Sequence, residues 1–518
     1  MIPSPYQQAI YDFIKNEKGS CVVEAVAGSG KTTTIVEAAK LLPENLFVAF
    51  VAFNKAIAKE LSTRLPPLVK SCTLNSLGFT AWLKSAGRHV QVDAHKISEI
   101  CDDVIESNEK GSYAQAVKKL VGLAKAHGLV PKEWAKGRIV LTHDTEQNWY
   151  ELADKYAVEP DGGGTMEKLV EYSRIVLRQS IKLANQVIDF DDQIYMPVIC
   201  QCNFFRYDVL FVDELQDVSM IQRAMLRLSI KKTGRLIGVG DKKQSLYGFR
   251  GAGIDSIDRV VEEFNAKVLP LSISYRCPQS VVKEARRYVE HIEPHESAPV
   301  GKVETLMTYH PGIFRNSDGI VCRNSAPLVD LAYRLIRFGR GCRILGREIG
   351  QGLIRLIEKL DAFTIDELES NLQVYAAREI GKCIAKGQED KAAGIADKVE
   401  TIRVIIEDLP EKKRTIEYLC ESIGSLFTDK DEGLLTLSTV HKAKGLEYDR
   451  VFILEPQLMP SPWARQAWQK DQEQNIAYVA VTRSKSELYY ITVNGLTEET
   501  PQKTVAVSEA EKQPEVAK

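Results

Sequence analysis

The stretch AVAGSGKTT (Ala25–Thr33) has the spacing A-x-x-x-x-G-K-T, a phosphate-loop pattern with alanine in place of its first glycine. Backbone N–H groups of a glycine-rich turn at a helix N-terminus form an anion cradle. Gly28, Ser29, Gly30 and Thr33 belong to that cradle. Lys31 is suited to reach the β- and γ-phosphates of a nucleotide, and the Thr32 hydroxyl to hold Mg²⁺. The loop alone does not separate kinases, GTPases, transporters and motors.

A second stretch, VLFVDELQD (Val209–Asp217), narrows the choice. An apolar strand sets down Asp213 and Glu214 together at its C-terminal end, where ligands bind in parallel sheets. Asp213 is suited to Mg²⁺, usually through water. Glu214 is then placed to orient and deprotonate an attacking water, which favours hydrolysis over transfer to a second substrate. A third stretch, RLIGVGDKKQSLYGFRGA (Arg235–Ala252), follows a short buried strand with an acid, Asp241, and an amide, Gln244. Tyr247 and Phe249 come directly after, alternating with Gly248 and Arg250. A polar sensing group and an aromatic shelf on one loop suggest two ligands made aware of one another.

These residues need elements to hold them. CVVEAV followed by TTIVEAAKLL reads as strand, loop and helix, and the same rhythm recurs at NLFVAFVAFNKAIAKEL and YDVLFVDELQDVSMIQRAMLRL. Nearly all-apolar strands alternating with helices indicate a parallel sheet covered on both faces. A second set appears late in the chain, at GIVCRNSAPLVDLAYRLI, LLTLSTVHKAKGLEYDRVFILEP and ELYYITVNG. Two helical segments interrupt these sets, at about 82–182 and 350–432. The chain's 518 residues are too many for one core, and its 44 % hydrophobic and 27 % charged content is that of a soluble globular protein. A net charge of −2 counts against a static nucleic-acid coat but not against a local basic groove. The ten cysteines include no CxxC pair, so buried free thiols are expected instead of a metal site. No apolar run approaches membrane-spanning length and no secretory signal opens the chain, so a cytoplasmic protein is expected.

The three stretches, with others in order, resemble superfamily 1 DNA helicases of the UvrD/Rep/PcrA type. SPYQQAI near the start is similar to that family's adenine-reading motif. VAFNKAIAKEL and TLNSLGF resemble its first DNA-contacting motifs, and IDFDD (Ile188–Asp192) the return from its first insertion. SYRCPQSV, STVHKAKGLEYDRVFI and AYVAVTRSK follow in the family's order.

The resemblance implies an α/β protein with two RecA-like parallel-sheet P-loop domains, each carrying a mainly helical insertion. The first core, 1A, would comprise 1–81 and 186–268, with insertion 1B at 82–185. The second core, 2A, would comprise 269–349 and 433–497, with a reduced 2B-like insertion at 350–432. Residues 498–518 would form a disordered tail. Gln7 would read the adenine edge and Tyr275 stack on the base. Arg276 and Arg483, both from the second core, would reach the γ-phosphate as arginine fingers. Gln244 would sense that phosphate, and Glu447 would bind near the sugar. Asn54, Thr73, Tyr247, Phe249, Arg250 and His441 would contact DNA. Phe249 stands where the family commonly has Trp, and Asn75 where it often has His. The family's first-motif aromatic is replaced by Ala52, with Phe53 following; Phe53 reads equally as a base shelf or as core.

The implied activity is an ATP- and Mg²⁺-dependent 3′→5′ DNA helicase or translocase on single-stranded DNA and single-/double-strand junctions. Replication or repair proteins would be its partners, and no membrane is involved. Two alternatives stand beside it. One is a translocase that strips bound proteins with little unwinding, favoured by the short second insertion. The other is a non-catalytic, nucleotide-gated DNA-binding or recruitment module. An RNA-directed enzyme is a further rival, and no nuclease constellation is present.

Overall fold

The computed structural model describes residues 2–497 except 53, 88, 135–140, 162–163, 247–254, 386–388, 431–432, 463 and 465–466. The chain divides into two compact units, 1–300 with 464–482 and 301–463 with 483–518. The first is built on a six-stranded parallel sheet. Its order is Lys267–Leu271, Cys21–Ala25, Ile230–Gly240, Tyr207–Val212, Val48–Ala52, Val69–Thr73. Alternate residues of each strand feed opposite faces. Val23, Phe50, Phe211 and Ile237 pack under helices Pro5–Asn16 and Lys31–Ala39. Val22, Val51, Leu210 and Leu236 join a larger core shared with the helical segment between residues 82 and 185. Burial on both faces explains why these strands read as continuous apolar runs.

The segment 82–185, expected as the first insertion, contributes helices Lys96–Val104, Lys110–Ala126, Glu146–Lys155 and Met166–Leu183. Its two ends are tied where the Trp82 indole N–H donates to the Ala184 carbonyl at 3.0 Å. Two buried lysines fasten it to IDFDD. Lys96 Nζ lies 2.5 Å from Asp192, and Lys125 Nζ lies 2.7 Å from Asp189 and 2.8 Å from Asp192. Burial alone would raise the Asp192 carboxyl, but Lys125 and Lys96 hold it below the usual carboxylate value. Such a cluster is stable only as a complete set.

The boundary between the two parts falls elsewhere than the sequence suggests. Residues 269–300 were expected in the second core. Instead, Lys267–Leu271 is the edge strand of the first sheet, and the chain as far as Val300 clusters with that unit. Helix Ala467–Val481, expected in the second core, clusters there too. The reason is tertiary: the Tyr275 N–H donates to Gly28 O at 2.8 Å, and Asn475 Nδ2 donates to Ser245 O at 3.1 Å.

The second unit has its own six-stranded parallel sheet. Its order is Lys302–Thr305, Ser484–Ile491, Tyr448–Leu454, Gly319–Cys322, Leu435–Thr439, Cys342–Leu345. Helices Arg347–Leu360, Ile365–Ala385, Glu389–Glu407 and Ile416–Leu426 occupy the second inserted segment. They share one core with the sheet through Ile402, Ile405, Ile406 and Leu419. Asp397 fastens the segment further, its carboxylate accepting from the Ser325 and Ala326 N–H groups at 3.0–3.1 Å. Among the described residues no helix is long and apolar enough to cross a membrane.

Candidate functional site

Strand Cys21–Ala25 ends at the phosphate loop, and helix Lys31–Ala39 begins at its far side. Gly28 and Gly30 have φ of +72° and +75°, a region that disfavours side chains. Gly28 is also sterically required, since a Cβ there would lie 2.5 Å from Arg276 Cβ and 2.7 Å from Ser274 Oγ. The Ser29 hydroxyl is buried and has no hydrogen-bond partner among the described residues, a polar atom left over at the cradle. Thr33 is exposed, and its hydroxyl accepts from Arg64 Nη2 at 3.2 Å, so it stands apart from the cluster. One support escaped the sequence: the Ala27 N–H donates to the Tyr478 hydroxyl at 2.9 Å.

Strand Tyr207–Val212 delivers the two acids beside this loop. Thr32 Oγ1 donates to Asp213 Oδ2 at 3.3 Å, and Lys31 Nζ lies 3.5 Å from Glu214 Oε1. A hydroxyl and a carboxylate so close form a hard oxygen pair of the kind Mg²⁺ takes, so these residues fit a nucleotide with its magnesium. Burial, then the charge of Glu214, push the Asp213 carboxyl up to about 6, while Lys31 opposes the rise. Glu214 has φ of +50°, an uncommon conformation for a residue with a side chain.

Glu214 is held by a relay. Gln216 Nε2 donates to Glu214 Oε2, and Gln216 Oε1 accepts from the Asp241 N–H at 3.0 Å. Asp241 Oδ2 in turn accepts from Gln244 Nε2 at 2.7 Å, and Oδ1 from the Lys243 N–H at 3.0 Å. A Cβ at Gly240 would lie 2.6 Å from Gln216 Oε1, so that glycine makes room for the relay. Burial raises the Asp241 carboxyl. The sequence marked Asp241 and Gln244, but nothing in it marked Gln216 as their link to Glu214.

On the side expected to take the base, Gln7 is fully engaged. It forms a capping box with Ser4, its Nε2 donates to Thr34 Oγ1 at 3.0 Å, and its Oε1 accepts from the Tyr275 hydroxyl at 3.3 Å. Tyr275 itself is exposed, with its ring tilted 37° to that of His295 at 4.8 Å. Arg276 follows and Nη1 donates to Thr482 O at 3.2 Å. Arg276 therefore belongs to the first unit, not the second as expected.

The second unit carries Arg483, Glu447 and His441. Arg483 is buried, its Nη1 donating to Leu446 O at 3.3 Å and its carbonyl accepting from the Tyr448 N–H at 3.0 Å. Glu447 is exposed and paired with Lys485 at 3.4 Å. His441 lies on the short helix Val440–Ala443. Burial, with Arg323 and Lys444 nearby, pushes its imidazole down to about 3, so it is neutral at physiological pH.

The residues expected to contact a strand fall partly outside the described ones: Phe53, Tyr247, Phe249 and Arg250 all do. Asn54 and Thr73 are helix N-caps at the C-terminal ends of adjacent strands, in register at Ala52 and Thr73. Asn54 Oδ1 accepts from the Ile57 N–H, and Thr73 Oγ1 from the Ser76 N–H. Two helix N-termini side by side suit phosphate oxygens. Asn75 Nδ2 donates to Phe190 O at 2.8 Å, and Phe190 presents a ring 56 % exposed. The sequence reading passed over that aromatic.

Comparison with known proteins agrees with this geometry. The UvrD/REP helicase N-terminal domain matches residues 6–265, and the UvrD-like helicase C-terminal domain matches residues 364–495. The chain is 25 % identical to F-box DNA helicase 1 of Gallus gallus over 91 % of its own length and 47 % of that protein's. It is 25 % identical to DNA helicase II of Escherichia coli over 53 % of its length and 39 % of the relative's. ATP-dependent DNA helicase PcrA of Bacillus subtilis is 23 % identical over 56 % and 39 %. The chain thus spans about half or less of the length of these relatives.

Proposed function

The chain belongs to the UvrD/REP helicase family, and from that premise we propose that it is an ATP-dependent DNA helicase moving 3′→5′ along single-stranded DNA. One observation carries the reading: the Thr32–Asp213 and Lys31–Glu214 pairs sit beside a relay that runs from Glu214 through Gln216 to Asp241 and Gln244.

Thr32 and Asp213 would hold Mg²⁺, which neutralises charge on the phosphate oxygens. Lys31 exchanges Glu214 for the β- and γ-phosphates as ATP binds. The released Glu214, oriented by Gln216, accepts a proton from water as the water oxygen attacks the γ-phosphorus. The bond to the β–γ bridging oxygen breaks, leaving ADP and phosphate. Tyr275 stacks on the base, with Gln7 beside it. Arg276 and Arg483 are proposed to neutralise the γ-phosphate, and Glu447 to act near the sugar. Asn54, Thr73, Tyr247, Phe249, Arg250 and His441 are proposed strand contacts, with His441 acting as a neutral group. Segments 82–185 and 350–432 are proposed as the two insertions.

Directional unwinding of tailed duplexes tests the whole reading. Unwinding from a 3′ overhang, with ATP turnover stimulated by single-stranded DNA, is expected. A preference for 5′ overhangs, or turnover indifferent to DNA, would refute it. Glu214→Gln should retain ATP and lose about 10²–10⁴-fold in turnover.

A further inference from the structure

Parallel sheets of this kind take their ligands at the C-terminal ends of the strands, where Thr32, Asp213 and Gln244 lie. The opposite end of the first unit's sheet carries a different surface. Leu68 and Phe47 immediately precede strands Val69–Thr73 and Val48–Ala52, and Phe205 comes just before Tyr207–Val212. They are 64 %, 55 % and 50 % exposed. Val48 is in register with both Val69 and Val209, so these strand starts are neighbours. The Phe47 and Phe205 rings meet edge to face at 5.6 Å, and Lys231 Nζ lies 4.7 Å from the Phe47 centroid.

Helix Leu74–Ala86 begins at the C-terminal end of its strand and runs back, bringing Lys84 in its last turn to this end. There a cavity of about 450 Å³ is lined by Ala81, Phe204 and Phe205 with Lys84, Asn203 and Arg206. Among the described residues the side chains of Lys84 and Arg206 have no ion-pair or hydrogen-bond partner. Exposed rings beside a cavity with two unpaired cations call for a ligand that is both apolar and anionic.

We propose that this cavity docks a short acidic segment of a partner protein, with an apolar side chain against Phe204 and Phe205 and carboxylates at Lys84 and Arg206. A nucleic-acid strand fits less well. The Phe47 and Phe205 rings are turned edge to face, and Lys231 lies over Phe47, so they offer no row of open faces on which successive bases stack. The inference stands apart from the helicase reading, because none of these residues is assigned to nucleotide or strand.

The probe is a fluorescent peptide of glutamates with phenylalanines near one end, read by anisotropy against the whole protein. Saturable binding is expected. Lys84→Glu with Arg206→Glu should weaken it at least about tenfold, a change of about 1.4 kcal/mol. Phe205→Ser, or replacing the peptide's phenylalanines with alanine, should weaken it as well. DNA-stimulated ATP turnover should be unchanged, which also reports that the variants fold. Absence of saturable peptide binding to the parent overturns the proposal, as does equal binding by the double variant. Loss of oligonucleotide affinity in the double variant while peptide binding persists would assign the surface to nucleic acid and overturn it too.

Discussion

Asp213→Asn should stabilise the protein while destroying its activity. The Asp213 carboxyl rises from 3.8 to about 6 because it is buried and faces Glu214. At 1.36 kcal/mol for each tenfold change, keeping it ionised at neutral pH costs about 3 kcal/mol relative to the unfolded chain. The carboxylate is almost wholly enclosed, so solvent does little to discount that figure. Asparagine removes the charge and retains an oxygen for the Glu214 N–H, which now donates to Oδ1 at 2.9 Å. That cost already includes the attraction to Lys31, which offsets part of the effect of burial and of Glu214. A net stabilisation of up to about 3 kcal/mol is expected.

The sign follows from linkage. A carboxyl with a raised pKa binds its proton more tightly in the folded state, so its contribution is fully favourable below 3.8 and is lost as pH rises through about 6. The advantage of the asparagine variant should therefore be largest near pH 8 and narrow by about 1 kcal/mol near pH 5. Thermal unfolding in chelator without nucleotide measures it, with an expected rise of about 2–4 °C per kcal/mol or somewhat less for a unit of this size. Magnesium with ADP should stabilise the parent more than the variant and close the gap. A variant no more stable than the parent near pH 8, or a gap independent of pH, refutes the reasoning.

Gln216→Leu removes the link between Glu214 and Asp241 and leaves the Asp241 N–H unsatisfied. Steady-state kinetics should show kcat down about tenfold with KM for ATP little changed, since Gln216 is buried behind Glu214 and Asp241; an equal rise in KM would place it in binding instead. Gly28→Ala drives a methyl into Arg276 and Ser274 at a positive φ, so equilibrium binding of a fluorescent ATP analogue should weaken by at least tenfold, about 1.4 kcal/mol. Lys96→Met leaves the two buried carboxylates Asp189 and Asp192 with Lys125 as their one remaining ammonium partner in the cluster, and urea unfolding should register a loss of about 3–5 kcal/mol.

What the sequence made legible was local. Strand, glycine turn and helix at Cys21–Ala39, and strand then acids at Tyr207–Glu214, are read from neighbouring residues, and the structure has them as expected. Both parallel sheets follow from the same rhythm. What it hid depended on contacts across long separations. Tyr478 meets Ala27 from 451 positions away, and Gln216 meets Asp241 across an interval no motif spans. His295 beside Tyr275 and the exposed ring of Phe190 are ordinary residues until the fold presents them. The boundary near residue 269 was misplaced for a related reason. A βα unit has the same local pattern whichever sheet it joins, and only the pairing of Lys267–Leu271 with Cys21–Ala25 decides its membership.

The relay also constrains how a sensing loop can work. Gln244 was expected to meet the γ-phosphate, yet its amide nitrogen donates to Asp241 at 2.7 Å. That –NH₂ has two donors, so one proton can stay on Asp241 while the other is offered to a phosphate. A phosphate that instead draws the nitrogen off Asp241 replaces one charge-assisted hydrogen bond with another of similar strength, and a modest difference in affinity then shifts the two states. Asp241 is buried and its carboxyl raised, so losing the amide would leave it short of an acceptor's partner and easier to protonate. Gln216 grips the backbone N–H of this same residue and the carboxylate of Glu214, so movement at Asp241 reaches the proposed general base directly. On the roles proposed for Gln244 and Glu214, phosphate sensing and water activation are joined through one buried aspartate, and a substitution that retunes one should alter the other.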